Sequence, residues 1–366
     1  MRVLHVISTL AAGGAEQQLR LLVPRLPHDC EVVTLARPGP LATALRATGT
    51  AVHELGTDGG PATIVRLRRL IRLGRFDVVH THLYRACVQG RFAARLAGVR
   101  PVVATAHHLS ARSVEDRPAS GRVRALYLAG ERAGQATIAV TPVVAGRLRA
   151  WGVPDARITV IPKAVDAAEF RFDPALRAAA RARLEIADGV PVVGGVGRLE
   201  HGEGFDRLIR AVGELPGVTL LLVGDGPARV ALQRLAVIEG LADRVRFAGT
   251  VGHAREMLCA MDVFASPPGP DTAGLVVLEA LAAGLPALYA TCPPLDQLAA
   301  ARTVLDGAHR LSPRDPQSLV RALRTEVLCH RERHGARLPA RSAGDRYSAA
   351  AVAASVSRLY ERVAGR

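Results

Sequence analysis

The chain has 366 residues, 49% hydrophobic, 22% charged and only 4% aromatic, with a formal net charge of +15. At roughly 100–200 residues per domain this is length for two globular domains; the ordinary apolar content excludes a disordered chain, and Arg, Gly, Pro or His breaks every apolar run before the ~18 residues a spanning helix needs. Five cysteines, far apart and without a C-x-x-C pair, support neither a disulfide framework nor a zinc site, so a reducing cytoplasm is the expected setting.

In chain order, Met1–Ser8 reads straight into a short buried strand, Val3–Ile7, and a Gly loop, with no apolar export signal. Further β-branched runs follow at Cys30–Leu35, Val78–Thr81, Val102–Thr105, Thr137–Val140 and Thr159–Pro162. Helical periodicity lies between them at Glu16–Leu26, Pro40–Thr48 and Val143–Trp151. A second series then begins, with strands at Val192–Gly195, Thr219–Val223, Val245–Phe247, Val263–Ala265 and Pro286–Tyr289 and helices at Phe205–Glu214, Ala228–Glu239 and Leu275–Ala283. Short strands alternating with longer helices predict parallel sheets with crossover helices, hence an α/β chain of two Rossmann-like halves. The expected boundaries are residues 1–164 and 165–346, with 347–366 forming an Arg-rich helix that packs back on the first half. Facing domains of this kind leave a cleft, and open parallel sheets bind ligands beyond the carboxyl ends of their strands.

Of the 48 basic residues all but Lys163 are Arg, which together with abundant Ala and Gly reads as the bias of a GC-rich genome more than as a partner signal. No basic stretch is interleaved with aromatics for stacking bases, so no nucleic-acid partner is expected. Over Ile64–Phe76, apolar residues 64, 67, 70 and 71 share a helical face opposed by arginines. Such a helix either covers a Rossmann sheet, its arginines an ordinary solvated face, or makes a peripheral contact with an anionic membrane on its inner face.

The first strand runs into Gly13-Gly14-Ala15-Glu16, a glycine turn opening a helix whose N-terminal N–H groups suit an anion, although a plain strand-to-helix turn reads the same way. In the second half, Gly197-Arg198-Leu199 ends one strand, where an Arg can donate bidentate hydrogen bonds to phosphate. Gly224-Asp225-Gly226-Pro227 ends another at the same edge. Asp271 then precedes Gly274 and the apolar helix from Leu275, in which Glu279 needs either a ligand or a structural Arg as partner.

This ordered set, with Val78-Val79-His80-Thr81-His82, Thr105-Ala106-His107 and Val160-Ile161-Pro162, resembles the retaining glycosyltransferases of family 4, which have the GT-B fold of two facing Rossmann-like domains. The resemblance covers nearly the whole chain. It implies an N-terminal acceptor-binding domain, a C-terminal nucleotide-sugar-binding domain, and hexosyl transfer to an acceptor hydroxyl with retention of configuration. The acceptor is an envelope glycan, a lipid or a small natural product. No metal and no cofactor are implied: the nucleotide sugar is a co-substrate, UDP-linked in preference to GDP-linked. By the same resemblance Arg198 binds the diphosphate, Glu279 holds the ribose hydroxyls, and Asp271 stands at the first acid position of the E-x7-E motif. His107, with His108 as fallback, contacts the transferred sugar. Gly14, Gly226, Gly274 and Leu275 approach the donor, and Gly13 and Glu16 form the acceptor-side loop. His80 and His82 read as structural histidines ending a buried strand.

Four positions depart from the family. Glu203 replaces the Lys expected five residues after Arg198, and an anion facing a diphosphate repels it by several kcal/mol at an effective dielectric of about 20. Asp271 is one methylene shorter than the usual Glu. Ile161-Pro162-Lys163-Ala164 replaces the family's Ile-Pro-Asn-Gly, placing the chain's only lysine where it can supply the missing charge. The alternative is a catalytically impaired homologue that binds a nucleotide or a partner protein.

Overall fold

The computed structural model describes residues 1–11, 13–56, 60–109, 113–114, 117–267, 274–293, 295–296, 307–312, 315, 317–339 and 347–365. The chain divides into two compact units, Met1–Ala164 with Arg346–Arg366, and Val165–Asp345.

The N-terminal unit is built on a parallel sheet of β1 (Arg2–Ile7), β2 (Asp29–Thr34), β3 (Ala51–Glu54), β4 (Val78–His82), β5 (Val102–Ala106), β8 (Ala136–Ala139) and β9 (Ile158–Val160), in the order β3-β2-β1-β4-β5-β8-β9. A two-stranded antiparallel pair, β6 (Ser113–Val114) and β7 (Arg117–Pro118), stands apart from it. Side chains alternate across the sheet: Leu4, Val6 and Val79 pack with Leu67 and Ile71 of α3 (Pro61–Gly74) and Ala86, Ala93 and Ala94 of α4 (Tyr84–Leu96). Val3, Val78 and Val103 pack on the opposite face with Leu21 of α1 (Gly14–Leu22) and Val352, Val356 and Tyr360 of the last helix (Ala349–Ala364). Strands buried on both faces need no exposed polar face, which is why β1, β4 and β5 are rich in Val, Leu, Ile and Ala, with His5, His80, Thr81 and His82 among the buried polar exceptions. Period two also puts His5, His80 and His82 on the face of Val3 and Val78, beneath the last helix. The stripe in α3 is spent on this core, since Leu67 and Ile71 are fully buried. Helix α1 stops at Leu22, short of the expected Leu26, and continues as a 3-10 turn over Val23–Arg25 because Pro24 has no N–H to continue the ladder.

The C-terminal unit repeats the plan with β10 (Val192–Val196), β11 (Thr219–Val223), β12 (Val245–Gly249), β13 (Val263–Ser266), β14 (Ala287–Tyr289) and β15 (Ala308–Arg310), all parallel, in the order β12-β11-β10-β13-β14-β15. Leu208, Ile209 and Val212 of the helix Phe205–Gly213 and Leu319, Val320 and Leu323 of the helix Gln317–Glu332 close one core against Leu220, Leu222 and Val263. Beneath the amino ends of its strands lies a buried ion cluster. The Asp262 carboxylate meets Arg181 Nη2 at 2.6 Å and Arg177 Nη2 at 2.7 Å and accepts from the Val192 N–H at 2.8 Å. Arg181 also donates to the Ala260 and Val190 carbonyls, so one carboxylate ties the helix Pro174–Arg183 to two strands. Asp262→Ala, which strands the buried Arg181 cation, is expected to cost about 3 kcal/mol in urea unfolding; a loss below 1 kcal/mol would show the cluster to be dispensable.

Candidate active site

In the C-terminal unit, Gly197-Arg198-Leu199 leaves the carboxyl end of β10 and Gly224-Asp225-Gly226 leaves that of its neighbour β11. The two loops are joined backbone to backbone: the Gly197 N–H donates to Val223 O at 3.0 Å, Leu199 N–H to Asp225 O at 3.0 Å, and Ala228 N–H to Leu199 O at 2.8 Å. A Cβ on Gly224 would stand 1.9 Å from the Gly197 carbonyl oxygen, and one on Gly226 would stand 2.5 Å from that of Leu199. Gly224 also has φ +130°, a conformation that an L side chain resists. Gly224→Ala is therefore expected to lower stability by about 1–3 kcal/mol, measured by urea unfolding. An unchanged unfolding midpoint would show that the loop accepts a side chain there.

The Asp225 carboxylate is held below the usual carboxylate range, first by the Gly226 N–H at 2.8 Å and then by Arg229 Nη1 at 2.9 Å. It acts as a fixed anion bracing the loop. The Arg198 side chain is 66% exposed, with Nη2 2.7 Å from Glu200 Oε1. Glu200, two residues on, is a partner the sequence reading did not anticipate. Glu203 is half-buried in the turn before the helix Phe205–Gly213, its N–H 3.4 Å from Glu200 O.

Gly274, at φ +72°, caps the helix that starts at Leu275 and runs to Ala282. A Cβ there would meet Cys292 Sγ at 2.6 Å, so the cap is fitted against the loop after β14. Glu279 lies in the second turn, half-buried. Asp271 falls outside the described residues.

In the N-terminal unit Gly13 caps α1 and Gly14 begins it. A Cβ on Gly13 would lie 2.3 Å from Glu16 Oε2, so the buried Glu16 carboxylate folds back over the helix start, where the helix dipole favours an anion. Lys163 Nζ comes within 3.9 Å of where a Gly14 Cβ would stand, which brings the glycine loop and the lone lysine together. That placement is enforced by Gln18: its Nε2 donates to Ala164 O at 2.8 Å and its Oε1 accepts from the Ala164 N–H at 2.7 Å. A glutamine on a helix gives no motif, so the sequence reading passed over it. His107 follows β5, is buried, and lines a hollow of about 40 Å³ together with Lys163, Gln18, His5, His80 and His82. Burial first, and then the Lys163 charge, pushes the His107 pKa well below the ordinary histidine value, leaving the ring neutral near pH 7.

Residues 12–169 match the Glycosyltransferase Family 4 profile, and residues 190–327 match Glycosyl transferases group 1. The chain is 30% identical over 311 residues to the 2-deoxystreptamine glucosyltransferase of Streptomyces kanamyceticus, covering 78% of this chain and 79% of that protein. It belongs to glycosyltransferase family 4. Over 106 residues it is 44% identical to the lipopolysaccharide core biosynthesis glycosyltransferase LpsE of Rhizobium meliloti, a stretch that is 29% of this chain and 31% of that protein. Among solved structures, Anabaena HepE in complex with UDP-glucose superposes with a TM-score of 0.76 at 22% identity, over 100% of this chain and 98% of that one. The two parallel sheets with their covering helices are thus the GT-B glycosyltransferase architecture. Within this family-4 chain each unit gathers its own set of expected residues: Gly13, Gly14, Glu16, His107 and Lys163 in one, and Arg198, Gly226, Gly274, Leu275 and Glu279 in the other.

Proposed function

We propose that the protein transfers a hexosyl group from a UDP-sugar to an acceptor hydroxyl, with retention of anomeric configuration and without a metal ion. The observation that carries this reading is the Arg198 guanidinium standing out from a ledge of two loops that only glycine can build at Gly224. The guanidinium fork standing on this ledge matches phosphate oxygens in pairs. The named activity of the Streptomyces relative and the UDP-glucose held by HepE support the donor class.

As the bond from the anomeric carbon to the phosphate oxygen breaks, negative charge collects on the diphosphate. Arg198 and the Gly274 helix start, both in the C-terminal unit, stabilise it there. The acceptor hydroxyl forms the new bond on the same face and gives its proton to the leaving phosphate oxygen, so no protein nucleophile takes part. Glu279 holds the ribose and Asp271 the transferred sugar. A small polyol such as a cyclitol is the acceptor class we favour, in line with the Streptomyces relative. The exposed arginines 66, 69 and 72 of α3, beside the exposed Val65 and Leu73, support a peripheral contact with anionic lipid at the cytoplasmic face.

Titration with UDP, GDP, ADP and dTDP tests the donor site by thermal shift, since a ligand of the folded state raises the midpoint. A saturable shift with UDP and UDP-glucose is expected, and none with any of the four would contradict the reading. Glu203 favours a second reading, a nucleotide-binding protein without turnover. That protein would give the UDP shift but no acceptor-dependent release of UDP.

A further inference from the structure

Strand β10 runs out through Gly194-Gly195-Val196-Gly197, and the helix that follows brings its first residue, Phe205, back to two of these glycines. A Cβ on Gly195 would lie 3.1 Å from Phe205 Cε1 and 3.1 Å from Leu208 Cδ2, and one on Gly197 would lie 3.3 Å from Phe205 Cζ. For Gly197 the Phe205 ring supplies the only atoms within 4 Å of that point among the described residues. Neither glycine has a positive φ, so space and not backbone conformation calls for glycine there. Two residues apart at the end of a strand, they face the same side. Glycine in a strand gives up side-chain packing and backbone entropy, and it marks a place where something must approach closely.

The segment between, residues 198–204, carries Arg198, Glu200 and Glu203. It turns back on itself through Gly202 at φ +92° and Gly204 at φ +79°. Inside it the Glu200 N–H donates to Arg198 O at 2.9 Å and the Glu203 N–H to Glu200 O at 3.4 Å. The loop thus leaves at Gly197 and returns at Phe205, and contact between these two closes it. The Phe205 side is anchored, since the residue is 6% exposed and shares the buried core of the C-terminal unit with Leu199, Leu208 and Leu222. Arg198 stands next to the point of closure. Its side chain is mostly exposed, so the backbone beneath it decides where the guanidinium can reach.

We propose that Phe205 is a positioning residue whose ring, seated where Gly195 and Gly197 carry no side chain, clamps the two ends of the 198–204 loop and so holds the Arg198 guanidinium in place for the diphosphate. This rests on the role proposed above for Arg198. A charged group displaced by about 1 Å loses up to about a hundredfold in rate, so a clamp on its backbone matters to the chemistry although the ring touches no substrate.

Backbone ¹⁵N relaxation of the full chain reads the clamp without any ligand. Residues 198–204 of wild type are expected to show order parameters of about 0.85, and to fall below about 0.6 in Phe205→Leu while β11 stays rigid. A loop as ordered in Phe205→Leu as in wild type would overturn the proposal. Kinetics on UDP-glucose read the consequence. Phe205→Leu is expected to lower kcat about tenfold with KM within about threefold, and to change the already reduced kcat of Arg198→Ala by less than about twofold. An equal loss in both backgrounds would show that the ring serves the fold and not Arg198. Gly197→Ala keeps the ring and presses a methyl group against it, so it probes the same contact should Phe205→Leu fail to fold. It is expected to lower kcat about as much, and the two changes combined to be no worse than either alone. Losses that multiply in the pair would also overturn the clamp. A loop that is ordered in wild type and loosened in Phe205→Leu, in a protein that turns over no nucleotide sugar, would support the clamp and refute the functional reading instead.

Discussion

Arg198→Ala is expected to lower kcat/KM for UDP-glucose about a thousandfold, close to 4 kcal/mol of transition-state stabilisation. The diphosphate of the bound donor is already anionic and gains further charge as the sugar leaves, so a fixed guanidinium contributes to binding and contributes more to kcat. In the ligand-free protein that guanidinium is paired with Glu200 at 2.7 Å. A phosphate must displace this carboxylate, and Glu200→Gln is accordingly expected to tighten UDP binding while Arg198→Ala weakens it. Arg198→Lys keeps the charge but loses the paired donors, and should fall between wild type and the alanine variant. Because the side chain is mostly exposed, the thermal midpoint of Arg198→Ala should stay within about 1 °C of wild type. A loss below tenfold in steady-state assays would remove Arg198 from the chemistry.

Acid is expected to unfold the N-terminal unit far above the usual carboxylate range. Burial lowers the pKa of His5 to about 3 and those of His80, His82 and His107 well below the ordinary value of 6.5. The unfolded chain binds these protons below pH 6.5 and the folded chain does not, so the stabilisation is complete above that value and is lost as pH falls beneath it. Each group contributes about 1.4 kcal/mol per pH unit, which gives the four together a slope of about 5 kcal/mol per unit once all are protonated in the unfolded state. Urea unfolding between pH 8 and pH 5 should show a plateau above about pH 7 and a steep decline below about pH 6. A flat profile across that window would mean that the rings are protonated in the folded protein.

The legible parts of the fold were the strands buried on both faces, where β-branched and other apolar residues dominate even though His5, His80, Thr81 and His82 interrupt them. β3 and β15 escaped because they are short edge strands, Ala-Val-His-Glu and Ala-His-Arg, and half-exposed residues of that kind carry no apolar run. The glycine positions were legible for a different reason: at Gly224 and Gly226 neighbouring backbone occupies the space of a Cβ, and no other residue fits. What the sequence concealed was partnership across distance. Gln18 holds the segment that carries Lys163 from 146 positions away, and nothing near either end advertises the bond. His80 and His82 read as structural histidines ending a buried strand, and both are buried and hydrogen-bonded; period two in His80-Thr81-His82 already puts both rings on the face of His5. Only the turn after β5, which brings His107 to His82, lay beyond pattern reading. The charge departure at Glu203 was visible at once, whereas the Glu200 pairing of Arg198 depends on the path of the loop and was not.

The central claim is transfer itself, and its most direct test is to incubate the protein with UDP-glucose and 2-deoxystreptamine, or a panel of cyclitols, and follow UDP release and product by NMR. The account predicts UDP release that depends on the acceptor, and a product whose anomeric proton reports the α configuration of the donor. UDP binding with no acceptor-dependent release, or a β-linked product, would contradict it.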